Sequence, residues 1–263
     1  MSAQVLTHIA DGVARITLNR PEKRNALDRA TIAALSSELQ RCAGDSAVRV
    51  VQITGAGKVF CAGADLTEMQ AQVHAGEASN LADALQLAAM LALLDTLPKP
   101  TLARVNGDGY GGALGLIGAC DIGVAVDDAK FAFTEVRLGI MPAVISPYVL
   151  GKMGEGAARR YFLTAETLSV ERLREWGLVH EVVPAGQLDA CCTELIDALL
   201  KGAPQALADT KTLIRDMARA GAQDRPAAGL EAAARLARMR VTPEAQEGFA
   251  AFFAKRKTAW RRD

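Results

Sequence analysis

The chain has almost no histidine. His8, His74 and His180 are the only three in 263 residues. They are scattered, with no H-E-x-x-H spacing, so they read as surface or structural side chains rather than metal ligands. An excess of charge of one sign is missing as well. Thirty Lys+Arg offset thirty Asp+Glu, which removes the basic surplus that a nucleic-acid surface needs and the polybasic segment that an anionic membrane attracts. No apolar run is long enough to span a bilayer. Met1-Ser2-Ala3-Gln4-Val5 lacks the basic-then-apolar order of a secretion signal. The five cysteines, Cys42, Cys61, Cys120, Cys191 and Cys192, are odd in number and have no metal-type spacing. They are expected to be reduced thiols of a cytoplasmic protein. There is no G-x-S-x-G elbow for a serine nucleophile, no internal repeat and no low-complexity tract. Cys61 has no evident basic partner and reads as a small core residue.

What is present is a patterned α/β chain, long enough for one domain or one domain with a helical appendage. Val13 to Leu18 alternates as a strand does. Asn19-Arg20-Pro21-Glu22-Lys23-Arg24 breaks it. Asp28 is placed to cap a helix that turns Ile32, Leu35, Leu39 and Cys42 to one face. Val48 to Thr54 is a β-branched run suited to a buried strand, and a turn follows at Gly55-Ala56-Gly57-Lys58. Leu81 to Leu97 predicts an amphipathic helix with Leu81, Leu85, Ala88, Leu91 and Leu94 stacked, ended by Pro98 and Pro100. Thr101 to Asn106 predicts a strand, followed by a glycine-rich turn and a short helix. Two more strands are expected at Cys120–Val126 and 130–133. After Pro142 the chain becomes mainly helical, and Pro226 marks the most loop-like stretch of its tail. Strand–helix alternation followed by helices points to α/β with a helical C-terminal subdomain. The expected division is a core over 1–200 carrying the site and a helical oligomerisation region over 201–263.

Two glycine turns carry the chemistry. Val59 to Leu66 contains a run of small residues that would let a ligand approach the backbone amides. Asn106 to Gly115 contains G-x-G-x-x-G at Gly107, Gly109 and Gly112, with Asp127 near the position where a dinucleotide fingerprint wants an acid. That makes an NAD-dependent dehydrogenase an alternative. The helix after Gly112 is too short for a usual crossover, and a dinucleotide reading leaves the first turn without a purpose. Used together, the two turns can aim two N–H groups, one at a helix N-terminus, at a single oxygen. Such an oxyanion hole would hold the charge that a thioester carbonyl gains, at about 3 kcal/mol per donor.

Phe60-Cys61-Ala62-Gly63-Ala64-Asp65-Leu66, Asn106-Gly107 with Gly111-Gly112, Ala119-Cys120-Asp121-Ile122, Phe131 to Gly139, Gly177 to Pro184, and Glu247-Gly248 to Lys257 occur in an order that resembles the crotonase (enoyl-CoA hydratase/isomerase) superfamily over nearly the whole chain. The resemblance implies a spiral of repeated ββα units with C-terminal helices that build a homotrimer or a dimer of trimers. It implies an acyl-CoA substrate, with coenzyme A as part of that substrate and no tightly bound cofactor. The Ala64 and Gly112 amides would form the oxyanion hole and Glu135 would move the proton. Arg24, Ala26 and Leu27 would contact CoA. So would Ala62, Gly63, Asp65, Leu66 and Thr67, while Phe252 and Lys255 would lie near a neighbour's CoA site. Two-acid hydratases of the family carry a second glutamate where this chain has Gly115. The single-acid pattern, together with Ile140 to Pro147 and Gly154 to Glu166, resembles the methylglutaconyl-CoA and isohexenylglutaconyl-CoA hydratase branch. It implies hydration of a branched or carboxylated 2-enoyl-CoA. The same pattern fits a Δ3,Δ2-enoyl-CoA isomerase, and a non-catalytic or RNA-binding member is the alternative from another class. The missing acid is expected to leave a void beside Gly115 for a substrate branch or extra water.

Overall fold

The computed structural model describes residues 3–220 and 224–261. The chain opens with an antiparallel hairpin, β1 (Val5–Ala10) and β2 (Val13–Leu18), turned at Asp11 and Gly12. Helix α1 (Arg29–Gly44) follows. The Asp28 carboxylate caps it by accepting from the Thr31 amide at 2.7 Å, as the sequence predicts. Its inward face is Thr31, Leu35, Leu39 and Cys42, with Ile32 only half-buried. Strand β3 (Val50–Gly55) is buried along its whole length, which a β-branched run between two parallel neighbours allows.

From β3 onward the chain winds. After β3, Cys61 makes a single bridge to Gly109 before α2 (Leu66–Gln72) and α3 (Glu77–Thr96). The next turn is β4 (Thr101–Val105), β5 (Gly109–Tyr110) and α4 (Gly112–Ala119). It is followed by β6 (Ile122–Val126), β7 (Lys130–Ala132) and α5 (Ser146–Thr164). The turns that begin at β4 and β6 each give one strand to a six-stranded sheet, ordered β1-β2-β3-β4-β6-β9, and one to a three-stranded sheet, ordered β5-β7-β8. Strands β8 (Leu168–Ser169) and β9 (Glu181–Val183) complete the two sheets, with α6 (Val170–Glu175) between them. The windings from β2 through β9 in the large sheet are parallel. This is the crotonase-type α/β spiral, with a helical C-terminal region.

The core lies between the sheets and α1, α3 and α4, around Phe60, Phe131, Phe133, Ile53, Met90 and Leu94. Residues Ala113 to Ala119 of α4 are all buried, so this helix is apolar all round and central. Helix α3 departs from the expected stack. Leu91 and Leu94 are buried and Ala88 half-buried, but Leu81 and Leu85 are each 57% exposed. The helix starts at Glu77, and its first two turns run past the edge of the core before Met90 reaches it.

The tail is α7 (Leu188–Leu200), α8 (Pro204–Arg219), α9 (Arg225–Arg240) and α10 (Pro243–Phe253). Pro226 is no loop residue. It stands in the first turn of α9, where a missing N–H costs nothing and the fixed φ suits the helix. Helices α8 and α9 bury no residue within the single chain. Arg49 ties the tail to the core by donating to the Trp260 and Gly202 carbonyls at 3.0 and 2.7 Å. Among the described residues no helix is long and apolar enough to cross a membrane, and no group of His, Cys, Asp and Glu could hold a metal ion.

Candidate active site

The two small-residue turns lie side by side. The Phe60 and Cys61 amides donate to the Asp108 carbonyl at 3.1 and 3.3 Å, and the Tyr110 amide donates to the Cys61 carbonyl at 3.1 Å. A strand therefore sits inside the G-x-G-x-x-G run, because Gly109 belongs to β5. That is not the strand–loop–helix cradle a dinucleotide requires. The close approach requires glycine at two places. Gly63 has φ +83°, and a Cβ there would lie 2.6 Å from the Tyr110 carbonyl oxygen. Gly111 has φ +49°, and its Cβ would lie 3.0 Å from Glu135 Oε1.

Among the described residues, two amides are left spare. Leu27 bridges Ala64 in parallel. The bonds used are Leu27 N–H to Gly63 O at 2.7 Å and Asp65 N–H to Leu27 O at 3.1 Å, so the pairing steps over the Ala64 amide. Gly112 is the first residue of α4, where a helical N–H has no partner within the helix. Its neighbours are used: Gly111 N–H donates to Ala132 O at 3.0 Å and Leu114 N–H to Gly111 O at 2.9 Å. Ala64 and Gly112 both line one cavity of about 320 Å³.

Glu135 lines that cavity too. It opens a 3-10 turn, Glu135–Leu138, just after β7 rather than lying on the strand. Its Oε2 is buried with no hydrogen-bond partner among the described residues. Burial pushes its carboxyl above the ordinary value, only partly opposed by a bond to its own backbone. A carboxylate with no cation beside it, against the glycine that precedes a spare amide, is arranged to take and return a proton.

Asp65 is held differently. Burial pushes its carboxyl up, but the Arg20 guanidinium at 2.9 Å and the Thr67 and Glu68 amides outweigh this and leave it below the ordinary value. It caps α2 and fixes the turn that carries the Ala64 amide. Arg20 also reaches Asp28 Oδ2 at 3.0 Å and the Ala26 carbonyl at 2.7 Å. One guanidinium thus joins the caps of α1 and α2. Sequence reading took Arg20 only as part of a strand break. Its partners lie up to 45 residues away, so no local pattern marks it.

An adjoining cleft is bordered by Arg24, Ala26, Thr67 and Tyr110, and it shares Ala62, Ala64, Asp65, Leu66 and Thr134 with the first. Arg24 lies 5.7 Å above the Tyr110 ring. Leu27 and Gly63 line the main cavity. The residues expected to contact CoA are therefore together, with two exceptions. Phe252, which is 77% exposed, and Lys255 border neither space within the chain. Cys61 is inert: burial pushes its thiol up to about 12, against a weak bond from the Gly63 amide.

The expected void beside Gly115 is filled. A Cβ at this buried glycine would lie 2.5 Å from Ile145 Cγ2 and 3.3 Å from Leu91 Cδ1. The Ala143-Val144-Ile145 segment supplies the bulk that the missing side chain leaves out, because a packed interior tolerates little empty volume.

Two spare amides and a partly buried carboxylate thus meet at one cavity. The model of the enoyl-CoA hydratase/isomerase family matches residues 8–263. The chain belongs to that family. A crystal structure of an enoyl-CoA hydratase from Shewanella pealeana superposes with a TM-score of 0.94 at 39% identity, covering 98% of this chain and 96% of the other. A Thermus thermophilus protein, provisionally named an enoyl-CoA hydratase, is 35% identical over 93% of this chain and 95% of its own length. The 2,3-dehydroadipyl-CoA hydratase of Escherichia coli K12 is 32% identical, covering 92% of each chain. This crotonase-fold chain is an enzyme of that family.

Proposed function

We propose that this enzyme is a hydratase that adds water across the double bond of a 2-enoyl-CoA thioester. The observation that carries the reading is the meeting of two spare amides, Ala64 and Gly112, with the unpartnered Glu135 carboxylate at one cavity. The thioester carbonyl oxygen accepts from both amides. Ionised Glu135 takes a proton from water as the water oxygen bonds to the third carbon. The double-bond electrons move toward the second carbon and onto the carbonyl oxygen, whose charge the amides hold at about 3 kcal/mol each. Protonated Glu135 then gives its proton to the second carbon, the carbonyl re-forms, and the carboxylate is restored. A carboxyl raised above its ordinary value suits both halves of this transfer.

Coenzyme A enters as part of the substrate, held by Arg24, Ala26 and the segment from Ala62 to Thr67, and no tightly bound cofactor takes part. Phe252 and Lys255 reach a neighbour's CoA in a homotrimer or dimer of trimers. The exposed apolar side chains Ile214, Leu230, Leu236 and Phe253 on α8 to α10 support such an assembly. The free cysteines fit the cytoplasm. The branched acyl group implied by the resemblance loses its steric argument, because Ile145 fills the space over Gly115.

That same packing favours a second reading, a Δ3,Δ2-enoyl-CoA isomerase, in which Glu135 alone moves a proton from the second to the fourth carbon. A panel of 2-enoyl-CoA and 3-enoyl-CoA esters separates the two. A hydratase removes the absorbance of the conjugated thioester, whereas an isomerase creates it from 3-enoyl esters. Binding of NAD without binding of any CoA thioester would overturn both.

A further inference from the structure

The cavity has a polar wall that the hydration chemistry leaves unused. Arg29 on α1, Glu68 and Gln72 on α2, and Asn80 and Asp83 on α3 line the same space as Glu135, Ala64 and Gly112. Arg29, Gln72 and Asn80 each donate within the protein. The Arg29 guanidinium lies 2.5 Å from Asp83 Oδ2 and 3.7 Å from Glu68 Oε2. Gln72 Nε2 donates to the same Asp83 oxygen at 3.1 Å, and Asn80 Nδ2 donates to the Ala75 carbonyl at 3.1 Å. Among the described lining residues Arg29 is the only cation, and two carboxylates already face it. The wall therefore carries a formal charge of −1. It offers acceptors, namely carboxylate and amide oxygens, with two acids set against one cation. Asp83 is the more sheltered acid, with its side chain 14% exposed against 32% for Glu68, so its charge is screened less by water. The same cavity is also lined by the apolar side chains Ile32, Met69, Leu87 and Val144. The unpartnered Glu135 oxygen in the same cavity marks it as a place where a ligand completes the bonding.

We propose that the wall formed by Arg29, Glu68 and Asp83 selects acyl chains bearing a neutral hydrogen-bond donor, such as a hydroxyl, and rejects chains ending in a carboxylate. The inference rests on the hydratase reading of the cavity and names its substrate class. A hydroxyl donates to the open oxygens of the wall. A carboxylate meets two like charges against one guanidinium that already pairs with Asp83, and like-charge juxtaposition is a recognised means of excluding ligands. Of the two substrate types implied by sequence resemblance, the carboxylated one is thereby disfavoured.

The test uses CoA esters of matched chain length with a methyl, hydroxyl or carboxylate terminus. Saturated esters are titrated by calorimetry, and the 2-enoyl esters are assayed for kcat/KM. The hydroxyl ester is expected to exceed the carboxylate ester by at least about tenfold in both. Asp83→Asn with Glu68→Gln leaves Arg29 unopposed and should reverse that order, while the methyl ester changes little. Glu68→Gln alone, on a half-exposed pair, should shift the ratio part-way and guards against misfolding of the double variant. A parent that prefers the carboxylate ester, or a ratio unmoved by the double variant, overturns the proposal. Binding in the expected order without turnover of any 2-enoyl ester would sink the hydratase reading and leave the wall's selectivity standing. Failure to bind any CoA ester would overturn both.

Discussion

Consider Gly115→Ala. The residue is buried in the middle of α4, and an added Cβ would sit 2.5 Å from Ile145 Cγ2, 3.0 Å from Ile145 Cβ and 3.3 Å from Leu91 Cδ1. Real Cβ atoms do not tolerate the first of these distances, so Ile145 or α4 must move. Overpacking of this kind costs about 1–3 kcal/mol, and the better helix propensity of alanine returns roughly 1 kcal/mol at most. The net loss is up to about 2 kcal/mol, which for a chain near this size lowers the melting temperature by up to roughly 8 °C. Ile145→Ala alone opens a cavity at a side chain only 3% exposed and should cost about 2–5 kcal/mol. In the double variant the new methyl enters the space that Cγ2 leaves, so the two losses should sum to less than their parts, as contacting sites do. Calorimetric melting of all four proteins at one protein concentration measures this. A Gly115→Ala protein that melts at or above the parent would refute the argument, and strict additivity would do the same. Gly115→Glu is accordingly expected to fold only beside a smaller residue at 145, and its effect on catalysis is readable only there.

Glu135→Gln should retain CoA-thioester binding while kcat falls by at least about 100-fold, which titration and steady-state kinetics check together. In the parent, kcat should fall on acidification at a higher pH than an ordinary glutamate would give, because burial raises the carboxyl. The same raised value means that the folded chain holds this proton more tightly than the unfolded chain. Stability from this group is greatest below the unfolded value and is lost as pH climbs through the folded one. Glu135→Gln should therefore melt higher than the parent near neutral pH, with the advantage vanishing in acid; a constant offset at all pH values would contradict the desolvation argument. Light scattering at micromolar concentration should give a trimer or hexamer, and a monomer would leave the exposed side chains of α8 to α10 unexplained.

The two glycine turns were legible in the sequence because close backbone approach admits few residues, and the chain spends glycine and alanine there. Glu135 was singled out through the family resemblance alone, and its 3-10 turn was not expected. Asp28 and the buried β3 were legible from local chemistry. The occupation of the Gly115 space was not, since residues 115 and 145 meet only through the fold. Nor was the polar wall, whose members come from three helices and pair across as many as 54 positions. Leu81 and Leu85 show the opposite failure. Helical periodicity identifies a face, but the sequence does not say where along the helix the core ends.

In the proposed mechanism two of the three catalytic groups are backbone amides and contribute no side chain. The Ala64 donor exists because the bridge to Leu27 is set one position to either side of it, and the Gly112 donor exists because a helix begins there. Replacing either side chain leaves the N–H in place. An alanine scan would report Glu135 and pass over its two collaborators, one of which is already alanine. Only atomic substitution, such as an ester in place of the amide at position 64, removes a donor without altering shape. Natural drift faces the same blindness: what selection can see at these positions is volume and backbone conformation, while the charge-holding atoms are present in every residue but proline.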